Sequence, residues 1–151
     1  MLDQPTSKTA ARPDVTRAIT RGVCRYLAAV GISPLCEFKL IGRRRADVAG
    51  LDAKGRFTIV EVKSGPADFH ADNKWPDYLD YADFFYFAVG PDFPLDLLPA
   101  EHGLLVADAF SAAVHRAAPE LPINANRRRN QTLRFARQAA AQASRLVEAA
   151  S

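Results

Sequence analysis

Two short runs restrict the fold more than anything else in this chain. "RFTIVEVKS" (56–64) and "FFYFAVG" (84–90) have strand length; neither face of the first is consistently polar, and the second is strongly apolar. A strand with one wet face alternates apolar with polar residues. These two do not, so both faces need cover, and in a sheet that cover comes from helices. With 151 residues, 48% of them hydrophobic, the chain has enough material for one ordinary core. Inside the first run Glu61 and Lys63 share one side of the strand with Phe57 and Ile59. Charged side chains enter such surroundings with partners or at high cost.

The remaining segments supply the cover. Residues 1–13 are polar, with two prolines, and are expected to form a flexible arm before a single domain at 14–151. Asp14 is the expected N-cap of a first helix, in which Val15, Ile19, Val23, Tyr26, Leu27 and Val30 recur at helical spacing and Gly31 ends the pattern. Strands follow at 35–41 and 46–52, the second joined to 56–64 by an "AKG" hairpin turn. Trp75, Tyr78, Leu79 and Ala82 have helical spacing, 103–108 and 111–118 predict a strand pair, and 127–149 predicts a terminal helix with Leu133, Ala136, Ala140, Ala143 and Val147 inward. The order is helix, three strands, helix, strand, strand pair, helix. No GxGxxG follows a strand, which removes dinucleotide binding of the usual kind.

Hairpin arithmetic about residues 53–55 brings Asp47 close to Glu61 on adjacent strands. Two neighbouring carboxylates repel unless a cation joins them, and oxygen ligands suit Mg²⁺ or Mn²⁺. The Val62 carbonyl is a candidate third ligand. Lys63, pointing the same way as Glu61, is placed to orient water or to meet charge on a phosphoryl oxygen. Glu37, on the preceding strand, is a candidate third acid. Cross-strand ion pairs on a solvated sheet use the same residue types, but Ile59, Val60 and Val62 around Glu61 weigh against a solvated strand.

Basic residues lie in groups. Lys39, Arg43, Arg44 and Arg45 form one, Arg127, Arg128, Arg129, Arg134 and Arg137 another, and Arg17, Arg21 and Arg25 form a stripe at spacing four on the first helix. With a net charge of +3 this patterning suggests a polyanion, although plain solubility also explains either cluster alone. Lys74 and Tyr78, four apart, share a helical face and are candidates for phosphate contact; Tyr78 packed in the core with Lys74 in solvent is the equal alternative. Trp75 is expected in the core.

"RADVAG…IVEVKSG" resembles the D…(D/E)xK signature of restriction-endonuclease-like nucleases, and the longer stretch from "EFKLIG" to "AVGPDFP", with "GLLVADAFSAAVHRAAPE", resembles the MmcB-like DNA repair family. The resemblance implies an α/β fold with a restriction-endonuclease-like mixed central sheet flanked by helices, on a helix-strand-strand-strand-helix-strand core. It implies Asp47 and Glu61 as metal-binding acids and Lys63 as the catalytic lysine. An acid in the first helix, kept by many relatives of the wider superfamily, is missing here except for Asp14 at its cap.

The expected function is metal-dependent, structure-selective DNA cleavage in repair, with Mg²⁺ or Mn²⁺ as cofactor and branched, damaged or single-stranded DNA as partner. Phosphate contacts are expected from Lys74, Tyr78, Arg43, Arg44, Arg45, Arg17, Arg21, Arg25, Arg127 and Arg134. A non-catalytic DNA-binding or junction-recognition module, or a scaffold for repair proteins, is the rival reading. A homodimer is compatible with cutting two strands. Cys24 and Cys36 lack metal-ligand spacing and are expected to be reduced core thiols; with no leader-like or membrane-spanning stretch, a cytoplasmic location is expected.

Overall fold

The computed structural model describes residues 11–151; the greater part of the expected N-terminal arm lies outside them. The chain folds as α1 (Arg12–Ala29), β1 (Ser33–Lys39), β2 (Arg45–Leu51), β3 (Phe57–Lys63), α2 (Pro66–Ala71), a 3-10 helix (Trp75–Tyr81), β4 (Phe84–Val89), a 3-10 turn (Leu95–Leu97), β5 (Gly103–Ala107), β6 (Ala112–Arg116) and α3 (Ala125–Ala149). The six strands form one sheet in sequence order. β1–β2, β2–β3 and β5–β6 pair antiparallel, whereas β3–β4 and β4–β5 pair parallel. This is the expected α/β mixed sheet with helices on its faces, in the expected order.

The two runs are central strands, and every residue of β3 is buried. Val48, Val60, Val62, Ala88 and Leu105 face α1 through Ile19, Val23 and Leu27. Phe57, Ile59, Phe87 and Leu104 face the opposite side, covered by α2, the 3-10 helix and α3. α1 lies very close to the β5–β6 connection: a Cβ built on Gly22 would stand 1.9 Å from the Asp108 carbonyl oxygen, so only glycine permits this approach. The helix opens at Arg12, with Pro13 in its first turn and Ala11 at the cap position. Asp14 therefore lies inside the first turn and not at the cap as expected. Proline's fixed φ and missing N–H suit it to that first turn.

α3 is rotated relative to the expected face. Leu133 is 62% exposed and Val147 67% exposed, and Ala136, Ala140 and Ala143 are exposed too. The buried side carries Gln131 and Phe135. Phe135 sets the rotation by wedging against Phe38 and Phe57, at ring separations of 5.7 and 5.9 Å. Amides on the same side then serve the edge strand β1. Gln138 both accepts from Lys39 N (2.9 Å) and donates to Lys39 O (2.8 Å), and Gln142 donates to Cys36 O. Backbone groups that an edge strand leaves open are thus satisfied by glutamines. Cys24 on α1 and Cys36 on β1 are free, half-buried thiols 3.3 Å apart. Among the described residues no helix is long and apolar enough to cross a membrane.

Candidate active site

β2 and β3 pair from Leu51–Phe57 to Val48–Val60, and the ladder ends there. Carried one residue further, the same register sets Asp47 opposite Glu61. The strands part at this point and side chains fill the fork. Val62 N donates to Asp47 Oδ2 at 2.7 Å, and Asp47 N donates to Glu61 Oε1 at 3.3 Å. N–H and C=O of one strand residue leave toward the same neighbour, so the Val62 carbonyl also faces the fork. Glu61 is only 5% exposed.

Two buried carboxyls this close cannot both ionise cheaply. Burial first, and then the charge of Asp47, push the Glu61 carboxyl up to about 9. Burial raises Asp47 as well, against the opposing pull of the Val62 N–H and of Lys63. Without a cation the pair therefore retains a proton at neutral pH. Lys63 extends from the same face of β3 and is equally buried, and its Nζ meets Asp72 Oδ2 at 2.5 Å. Although burial alone would raise the Asp72 carboxyl, Lys63 and the Lys74 N–H pull it below the usual range. The sequence alone does not assign Asp72 this part; its position after a short unexpected helix, nine residues past the lysine, gives no periodic signal.

Tyr78 is buried beside the carboxyls and donates from its hydroxyl to Arg45 O at 2.8 Å. Its own ionisation is pushed up to about 12, by burial and then by the charges of Glu61 and Asp47. It braces the start of β2, so the phosphate-contact role expected of it gives way to a packing one. Lys74 is exposed at the end of the 3-10 helix and does not share the face of Tyr78. In a helix of three residues per turn, positions four apart diverge by about 120°. Trp75 is in the expected core, stacked on Phe85 and edge-on to Phe87.

Glu37 does not join the acids. Its position lies opposite Asp47, between the pairs Cys36–Val48 and Phe38–Ala46. Its backbone, however, enters the left-handed region at φ 54°. That turn leaves its side chain 70% exposed, 3.9 Å from Arg45. Among the described residues no group of three or more acid, histidine or cysteine side chains is arranged to hold a metal ion. The oxygen donors in the fork are thus two carboxylates and the Val62 carbonyl.

The expected phosphate contacts are dispersed. Arg17, Arg21 and Arg25 are exposed on α1, which covers the sheet face opposite the carboxyls, so the helix that carries them stands behind the sheet from the fork. Arg17 is also paired with Asp14. On the β1–β2 turn Arg43 is exposed, Arg44 is bound to Asp77 at 2.5 Å, and Arg45 is the partner of Glu37. Arg127 and Arg134 lie on α3, along a groove of about 730 Å³ that also includes Ile41 and Tyr81.

The family described as "DNA repair protein MmcB-like" matches residues 3–150, almost the entire chain. The chain belongs to that family. Among solved structures, the SPO1766 protein of unknown function from Silicibacter pomeroyi is 42% identical, with a TM-score of 0.86 over 90% of this chain and 93% of that one. A repair endonuclease from Pyrococcus abyssi is 20% identical, with a TM-score of 0.37 over 53% of this chain and 39% of that one, a similarity too slight to carry fold or function across. No curated protein matches the sequence. Membership of the MmcB-like family places the chain in DNA repair.

Proposed function

We propose that this MmcB-like chain is a metal-dependent deoxyribonuclease that hydrolyses phosphodiester bonds in DNA selected by structure and not by sequence. The observation that carries the reading is the fork between β2 and β3. There two carboxyls, Glu61 buried and Asp47 largely so, oppose each other directly, with a buried lysine on the same strand face. The donor set suits a hard divalent cation: Asp47 and Glu61 supply charge, the Val62 carbonyl a neutral oxygen, and water the remaining positions. A bound Mg²⁺ or Mn²⁺ would supply Lewis-acid polarisation of the phosphoryl oxygen and a more acidic water. The residues of the chain do the rest. Asp47 and Glu61 are fixed by backbone N–H bonds, so their oxygens need little reorganisation. Asp72 holds the Lys63 ammonium at the fork, where it meets negative charge developing on the phosphate. Tyr78 and its neighbours exclude water from the side of the 3-10 helix.

The test is cleavage of flap, branched and single-stranded DNA in Mg²⁺ or Mn²⁺ by the unaltered protein, Glu61→Gln and Lys63→Ala. Glu61→Gln removes a ligand charge at nearly constant shape, so its defect shrinks in excess Mn²⁺. Lys63→Ala loses roughly 10²-fold or more in rate, on the scale of removing one electrostatic donor, with no rescue. DNA binding without cleavage by the unaltered protein on all these substrates would replace the reading with a non-catalytic recognition module.

A further inference from the structure

We infer that the groove between α3, the 3-10 helix and the β1–β2 turn binds unpaired nucleotides of a DNA strand; the inference rests on the proposed action on DNA. The groove has a volume of about 730 Å³ and is lined by Arg127, Arg134 and Arg137 with no acidic residue. With the described residues, Arg134 and Arg137 form no ion pair or hydrogen bond, which leaves their guanidinium groups available to phosphate. Arg127 lies over the Tyr81 ring at 4.6 Å, a flat platform of the kind on which bases stack. Leu133 and Ile41, both exposed, add apolar surface within the same cavity. This combination of cations and apolar planes suits a strand whose bases are open. A duplex hides those planes, and the cavity has room for only about one or two nucleotides.

Gln131 lines the groove, and its Nε2 donates to Tyr81 O at 2.8 Å. Its Oε1 is the one buried side-chain polar atom among the described residues without a partner. The groove also shares two walls with the carboxyl fork. The turn that carries Ile41 runs into β2, and the 3-10 helix that carries Tyr81 carries Tyr78 beside Glu61; the Arg44–Asp77 pair ties the two walls together. A strand seated in the groove is therefore led toward the fork.

The experiment is fluorescence anisotropy in EDTA, with a labelled ten-nucleotide oligothymidine and a duplex of equal length, on the unaltered full chain, Arg134→Glu/Arg137→Glu and the milder Arg134→Ala/Arg137→Ala. The unaltered protein should prefer the single strand by roughly tenfold. The charge-reversed pair should lose at least about tenfold in single-strand affinity, and the alanine pair should flatten the logarithmic salt dependence by about 1.4, the share of two phosphate contacts. Thermal melting should stay unchanged in both. Equal affinity for the duplex, or unchanged affinity and salt dependence in correctly folded arginine variants, overturns the groove assignment. Binding is read without metal, so absence of cleavage counts against the nuclease reading alone.

Discussion

Glu61 and Asp83 are both buried carboxyls, yet the fold treats them in opposite ways. Glu61 faces another acid and is pushed up to about 9. A carboxyl raised above its ordinary value contributes stability that is complete below that ordinary value and is lost as pH rises toward the folded one. The metal-free protein should therefore lose stability between about pH 4.5 and 9, by up to about 1.4 kcal/mol per pH unit, and Glu61→Gln should remove this slope. Melting temperature against pH in EDTA measures it; a slope that survives in Glu61→Gln assigns it to another group. Asp83 is 1% exposed and accepts from Phe57 N (2.7 Å), Ile123 N (3.2 Å) and both terminal nitrogens of Arg128. Burial alone would raise it; these partners pull it below the usual range. Its contribution is therefore present above the unfolded value and lost as pH falls through the folded one. Asp83→Ala leaves Arg128 unpaired and two backbone donors open, and chemical denaturation should show a loss of about 3–5 kcal/mol. A loss below about 1 kcal/mol would mean that solvent replaces Asp83 at little cost. Neither Asp83 nor Asp72 was legible as a structural acid in the sequence, because the partners of a carboxyl that folds back 45 residues to Arg128, or nine to Lys63, leave no periodic trace.

The elements differ in how far a one-dimensional pattern determines them. β3 and β4 were legible because an apolar run without alternation has few homes other than a covered central strand. The Asp47–Glu61 juxtaposition was legible for a related reason: a short hairpin fixes register, and register fixes which residues oppose each other. The position of Glu37 was hidden, because one residue at positive φ turns the side chain out of the alternation. Lys74 and Tyr78 were misplaced by assuming a 3.6-residue period where Pro76 lies near the start of a 3-10 helix. α3 is rich in alanine, so its apolar periodicity is weak, and a single aromatic residue, Phe135, outweighed the stripe through Leu133 and Val147. α1 depends on Gly22 for its distance from the sheet. Gly22→Ala should cost about 1–3 kcal/mol or more, since the added carbon meets backbone oxygens that cannot rotate away. An unchanged denaturation midpoint would mean that α1 shifts freely over the β5–β6 connection.

At the scale of the molecule, the sheet separates two basic surfaces. The α1 stripe lies behind one face, while the fork and the α3 groove lie on the other. At physiological salt, charges beyond a screening length of about 8 Å act weakly on a bound strand. Arg17→Glu/Arg21→Glu/Arg25→Glu should accordingly leave oligonucleotide affinity within about threefold of the unaltered protein, and a loss beyond about tenfold in an anisotropy titration would place DNA against α1 instead. Family membership puts the chain in DNA repair; the fork is what makes it a candidate enzyme. The most direct measurement of that claim is a Mn²⁺ titration of the metal-free full chain at pH 7.5, by calorimetry in buffers of different ionisation enthalpy. The account predicts about one Mn²⁺ bound per chain with release of about one proton, because the carboxyl pair must give up the proton it retains, and loss of both signals in Asp47→Asn/Glu61→Gln. Absence of binding at millimolar Mn²⁺, or the same stoichiometry and proton release in the double variant, would contradict it.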